Sequence, residues 1–141
     1  MIIPKPFEAA PVPVGDPSRE TIEYAPTSSV HPIPVTNVLV AGTTIFTVPI
    51  GEYWEIIGAA AFNIDGSSAD SVTAHIIQQG GSASAANSIF RTSISAFNSV
   101  EMAPLIGLIL GPETSVRCFT ANNDVNVSFG IKRHFRGSRR D

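Results

Sequence analysis

DVNVSFGIK, residues 124–132, is the stretch on which the fold turns. Val125, Val127, Phe129 and Ile131 fall on one side of an extended chain; Asn126, Ser128, Gly130 and Lys132 fall on the other. Side chains of a strand alternate with a period of two, so this pattern predicts a strand with one buried and one wet face. Working back from it, SVRCFTA (residues 115–121) alternates Val116, Cys118 and Thr120 against Arg117 and Phe119, and the intervening AsnAsnAsp reads as a hairpin turn. SVTAHIIQ (71–78) places Val72, Ala74 and Ile76 on one face, and IFRTSISAF (89–97) alternates likewise. TNVLVAG, TTIFTVP, YWEIIGAAAF and PLIGLIL are further short runs of β-formers, closed by Gly42, Pro49–Gly51, NIDGSSADS and LGPET. GGSASAANS (80–88) is a loop by composition. No sustained helical spacing of apolar residues occurs; Gly58 and its β-forming neighbours argue against a helix at Ala59–Ala61. About eight short strands at regular intervals predict an all-β chain, a jelly-roll-like antiparallel β-sandwich over residues 36–131.

Ahead of this domain lies a different kind of sequence. Eight of the eleven prolines fall in residues 1–35. Proline supplies no N–H and biases the preceding residue toward extended backbone. The segment is expected to be an extended, Pro-rich N-terminal arm with polyproline-like pieces, rising about 3.1 Å per residue. Ile2, Ile3, Phe7, Ile22 and Tyr24 distinguish it from a polar linker. They point to packing, either on the chain's own domain or on a partner, with proline lowering the entropy lost on docking.

The chain of 141 residues is long enough for one domain, and 43% hydrophobic residues suffice for a core. Only 15% are charged, where about 25% is usual. Residues 1–130 hold four Lys or Arg against eleven Asp or Glu, whereas residues 131–141 hold five against one. The basic C-terminal tail, residues 132–141 with Lys132, Arg133, Arg136, Arg139 and Arg140, is a candidate contact for an acidic neighbour; a solvated tail is the alternative, and nucleic acid is not the expected partner. No apolar run approaches the roughly 20 residues of a membrane-spanning helix. The start, MIIPKPFEAAP, is not expected to be a secretory signal. Cys118 is the single cysteine, so no intrachain disulfide forms and a reducing compartment is the default.

Catalytic chemistry finds no foothold. His31, His75 and His134 are scattered without a second ligand at metal-binding spacing, and Cys118 has no evident base. Asp65, Asp70 and Asp124 lie beside Gly, Ser or Asn in loops; calcium is conceivable there, but turn formation is the simpler reading. The triplet Asn126–Val127–Ser128 sits in a strand and is discounted as a glycosylation site. The expectation is no enzyme, no cofactor and no metal. Trp54 shares a face with Ile56 and, further along, Phe62, so a core tryptophan is expected, with Tyr53 outside.

Two stretches add a resemblance. TIFTVPIGEYWEIIGAAAFN (44–63) and LIGLILGPETSVRCFTANNDVNVSFGI (105–131) are similar to small β-sandwich proteins of tailed bacteriophage particles, among them head decoration (cement) and tail-associated proteins. The similarity covers about half the chain and carries no catalytic residues. It implies a structural virion protein, assembled in the host cytoplasm, that binds the major capsid protein or other virion subunits, stabilises the head by non-covalent cross-linking, and forms a homo-oligomer, a trimer by analogy. The alternative is a tail- or fibre-associated protein, or a module recognising carbohydrate or a receptor.

Overall fold

The structure, a computed structural model, describes residues 28–135. Nine strands form two antiparallel sheets: β1 (Ser28–Val38), β2 (Thr43–Thr47), β3 (Glu52–Asn63), β4 (Asp70–Ile77), β5 (Ser88–Ile94), β6 (Ser99–Glu101), β7 (Ile109–Leu110), β8 (Ser115–Thr120) and β9 (Val125–Phe135). The first sheet runs β1-β9-β3-β6, with β7 also against β3, and the second runs β2-β8-β4-β5. β6 meets Ala60–Phe62 and β7 meets Trp54–Glu55, so they are two pieces of one strand position. Counted so, eight strands alternate between the sheets in jelly-roll order, and β4–β5 is the one connection within a sheet.

The period-two reading of β9 holds: Val125, Val127, Phe129 and Ile131 are buried. They meet Val116 and Cys118 of β8 and Val72 and Ala74 of β4 in a single core. Phe46 packs against Trp54 and Phe129 at ring separations of 5.3 and 5.7 Å, and Trp54 is 6% exposed. Aromatic clusters of this kind contribute both buried area and edge-to-face attraction.

Four local expectations change. The first strand begins at Ser28, ahead of the expected boundary at 36, so Pro32 and Pro34 lie in a strand. β1 is at a sheet edge, where a missing N–H breaks no ladder, and its register shifts between Ile33 and Thr36. Conversely, residues 39–42 of the expected TNVLVAG strand form a turn, closed by Gly42 N–H to Leu39 O at 2.9 Å. At the other end β9 continues to Phe135, past the expected boundary at 131. Finally, Phe62 does not share Trp54's face. A register shift between Ile56 and Gly58 inserts Ile57, so burial passes from Trp54 and Ile56 to Ala59, Ala61 and Asn63, and Phe62 turns outward. One inserted residue reverses every later side chain.

Candidate functional site: the four-turn end of the sandwich

Because successive strands alternate between sheets, four connections gather at one end of the sandwich: 39–42, 64–69, 95–98 and 121–124. The AsnAsnAsp segment is therefore not a hairpin turn, since β8 and β9 belong to different sheets. Each turn is fixed by its own chemistry. Leu39 N–H donates to Thr43 Oγ1 at 3.0 Å, and Gly42 supplies φ = 100°. Asp65 Oδ1 accepts from Ser67 N–H at 2.8 Å and Ser68 N–H at 3.3 Å, an Asx-type turn as expected from Asp65–Gly66. Asn123 adopts φ = 64°, a conformation asparagine tolerates.

The turns are also tied to one another. Phe97 N–H donates to Asp65 O (3.0 Å), Ile64 N–H to Asp124 O (2.8 Å), and Val40 N–H to Asn123 Oδ1 (2.6 Å). Asn63, wholly buried, bonds Ser68 O and Ile94 O through its amide and accepts Asp65 N–H, so no polar atom of its side chain is stranded. Asp70 is the knot. Its Oδ1 accepts from Ser71, Ala121 and Asn122 N–H, and its Oδ2 from Asp124 N–H, at 2.7–3.0 Å, in a side chain belonging to a residue only 3% exposed.

On this hydrogen-bonded frame stand apolar side chains. Leu39, Val40, Phe62, Ile64 and Phe97 are all exposed, Phe97 by 66%. Phe97 stacks on Phe62 at 6.1 Å and sits at φ = 56°, a region costly to a bulky residue. A rigid end that displays apolar groups, one of them held in a disfavoured backbone state, has the character of a contact surface.

Three carboxyls share this end. The Ser67 N–H holds Asp65 below the usual carboxylate range. Desolvation pushes Asp124 up, with the charges of Asp65 and Asp70 adding to it. Asp70 is filled by four backbone donors, which leaves it little capacity for a cation. Among the described residues no group of three His, Cys, Asp or Glu is arranged to hold a metal.

Other sequence candidates fall elsewhere. Ile2, Ile3, Phe7, Ile22, Tyr24, Arg136, Arg139 and Arg140 lie outside the described residues. Lys132 and Arg133 lie in β9. Arg133 bonds both oxygens of Glu52 at 3.1 and 3.2 Å and lies 5.7 Å from the Trp54 ring centre, while Trp54 Nε1 donates to Glu52 Oε1 at 2.7 Å. The Arg133 hydrogen bond draws Glu52's pKa down. Trp54 is thus a core residue and Tyr53 an exposed one. Cys118 is buried, and desolvation pushes its thiol up to about 12, far from a nucleophile's range. The turn-end apolar residues were missed because they are dispersed over positions 39–97; their one sequence signal is large apolar residues inside turn-forming segments.

No protein-family model matches the chain, and no curated protein matches it in sequence. Among solved structures it is similar to a Bacillus endospore appendage from a family of disulfide-linked pili (TM-score 0.46, 10% identity, 77% of this chain and 88% of that one). It is also similar to a chain of infectious bursal disease virus, Gt strain (TM-score 0.35, 14% identity, 80% and 34%). A third is VP2 of the same virus in T=1 particles (TM-score 0.33, 14% identity, 78% and 32%). The chain spans about a third of the length of the two viral chains.

Proposed function

We propose that this protein is a structural subunit of a virus particle, of the decoration or cement type, which holds neighbouring subunits together without covalent bonds. The observation that carries the reading is the four-turn end: apolar side chains on a frame already locked by backbone hydrogen bonds. Such a surface loses little entropy on docking, so more of the apolar burial survives as affinity. A jelly-roll body accords with a role in assembly. The clamp is the N-terminal segment ahead of Ser28, with Ile2, Ile3, Phe7, Ile22 and Tyr24 as anchors on the major capsid protein or another subunit. Lys132, Arg136, Arg139 and Arg140 supply positive charge toward an acidic neighbour, an attraction that salt weakens, while the charge of Arg133 is already met by Glu52. A trimer assembled at a capsid site completes the reading.

The test uses the full chain and particles of the virus that encodes it, separated by sedimentation. Burying a phenylalanine is worth about 1.5–3 kcal/mol, so Phe97→Gly should weaken pelleting by about tenfold or more. Glycine accepts the left-handed backbone at this position, so the fold survives the change. Deleting residues 1–27, which precede the first strand, should also release the protein. If both variants pellet as the parent does, the assembly reading fails.

A further inference from the structure

The outer face of the second sheet holds a feature that the assembly reading does not use. Register sets two rows of side chains across this face: Phe119, Thr73 and Arg91 in one, and Thr44, Arg117, His75 and Ser88 in the other. The segment between β4 and β5, residues 78–87, folds back over the second row. It buries His75, 8% exposed, although that residue points away from the core. The result is an open cleft of about 670 Å³, with Thr73, His75 and Phe119 set against Ser84, Ser88 and Arg91. A second cleft of about 370 Å³, sharing Ala83 and Phe119 with the first, brings in Arg117.

Its polar groups are oriented. Asn87 accepts Ser84 N–H through Oδ1 and donates through Nδ2 to Ser82 O, which fixes its amide. His75 Nδ1, 2.9 Å from that Oδ1, therefore carries a proton and donates it, which fixes the ring's orientation. Arg117 spans Phe119 at 5.3 Å, gives one bond from Nη2 to Ala41 O, and has a buried Nε with no partner. The ion pairs among the described residues are Arg133–Glu52 and His134–Glu55. Neither Arg91 nor Arg117 has a carboxylate partner there, and no acidic residue lines either cleft. In a chain of net charge −3, two arginines without counter-ions on one face mark a locally positive surface.

We propose that this face binds an acidic saccharide, a sugar chain bearing carboxylate or sulfate groups. The guanidinium groups of Arg91 and Arg117 match such oxyanions in charge and hydrogen-bond geometry. The hydroxyls of Thr73, Ser84 and Ser88, with the oriented His75 ring, match sugar hydroxyls, which both donate and accept. A peptide adding to the free edge of β5 would bond in the plane of the sheet and leave this outer face uncovered, and single-stranded nucleic acid would call for a longer basic track with stacking rings. This inference stands independently of the particle-binding role.

The experiment is calorimetric titration of the full chain with polygalacturonate (carboxylate), heparin (sulfate) and neutral dextran. Arg91→Gln is the main variant, because Arg91 is exposed and its loss leaves the fold intact. Deletion of residues 136–141 controls for the basic tail, which attracts any polyanion. Expected are binding of one or both acidic polymers that weakens with salt, no heat with dextran, a loss of about tenfold in Arg91→Gln, and retention when the tail is removed. The preferred polymer identifies the anion. The proposal is overturned if neither acidic polymer binds, if dextran binds equally, or if binding follows the tail and ignores Arg91→Gln.

Discussion

Asp70→Ala tests whether one carboxylate holds the four-turn end together. The carboxylate collects N–H groups from Ala121, Asn122 and Asp124, joining the start of β4 to the turn between β8 and β9. Hydrogen bonds to a charged group contribute about 1.5–3 kcal/mol each. Three such bonds give an upper range well above 4 kcal/mol at these per-bond values. Ala121 and Asn122 are exposed, however, so water reaches part of the abandoned turn. We expect a net loss of about 3 kcal/mol, a large share of the 5–15 kcal/mol typical of a domain. Asp70→Asn keeps an oxygen for three donors but sets an N–H₂ against Asp124 N–H, so about half that loss is expected. Urea unfolding followed by fluorescence of the single tryptophan, Trp54, reads both variants, since that ring is buried in the core. Asp70→Ala within about 0.5 kcal/mol of the parent, the range of an ordinary surface change, would mean that the carboxylate does not hold this end together.

Two further outcomes follow from the same structure. Asp124 has its pKa raised in the fold, so its ionised form is disfavoured there; that cost is absent in acid and appears as pH rises through the folded pKa. Asp124→Asn should therefore raise the urea midpoint at neutral pH and lose that advantage in acid, below the ordinary carboxylate range; an equal gain at both would contradict a cost that arises from ionising Asp124. Cys118, with its thiol pushed up to about 12, should resist a thiol reagent at pH of about 8 and react only as fast as the chain unfolds, measurable by mass spectrometry with and without urea.

Much of the sandwich was legible because burial on one face writes itself into a strand every second residue. β9 and β8 carry that pattern without interruption, and their inward residues are where it places them. The pattern fails where backbone geometry intervenes. Pro32 and Pro34 disguise β1, since only its edge position makes them tolerable in a sheet, and edge position is a property of the assembled fold. The extra residue at Ile57 sends Phe62 outward, and nothing local marks it beyond the neighbouring Gly58. Asp70 reads as a turn former, yet three of its four partners are more than fifty positions away. The cleft on the second sheet combines residues from three strands and a loop, so no spacing along the chain reveals it.

The position of β9 has a consequence for how the molecule is made. It lies between β1 and β3, so the last of the described strands to be synthesised is interior to the first sheet, and the earliest of them has no sheet neighbour until then. A chain emerging from the ribosome carries the apolar faces of β1 and β3, with Val38, Trp54 and Ile56, while the strand that joins the two is still untranslated. Closure of the first sheet must await synthesis of β9, and a chain cut ahead of Val125 would be a sticky, unclosed polypeptide rather than a smaller stable domain.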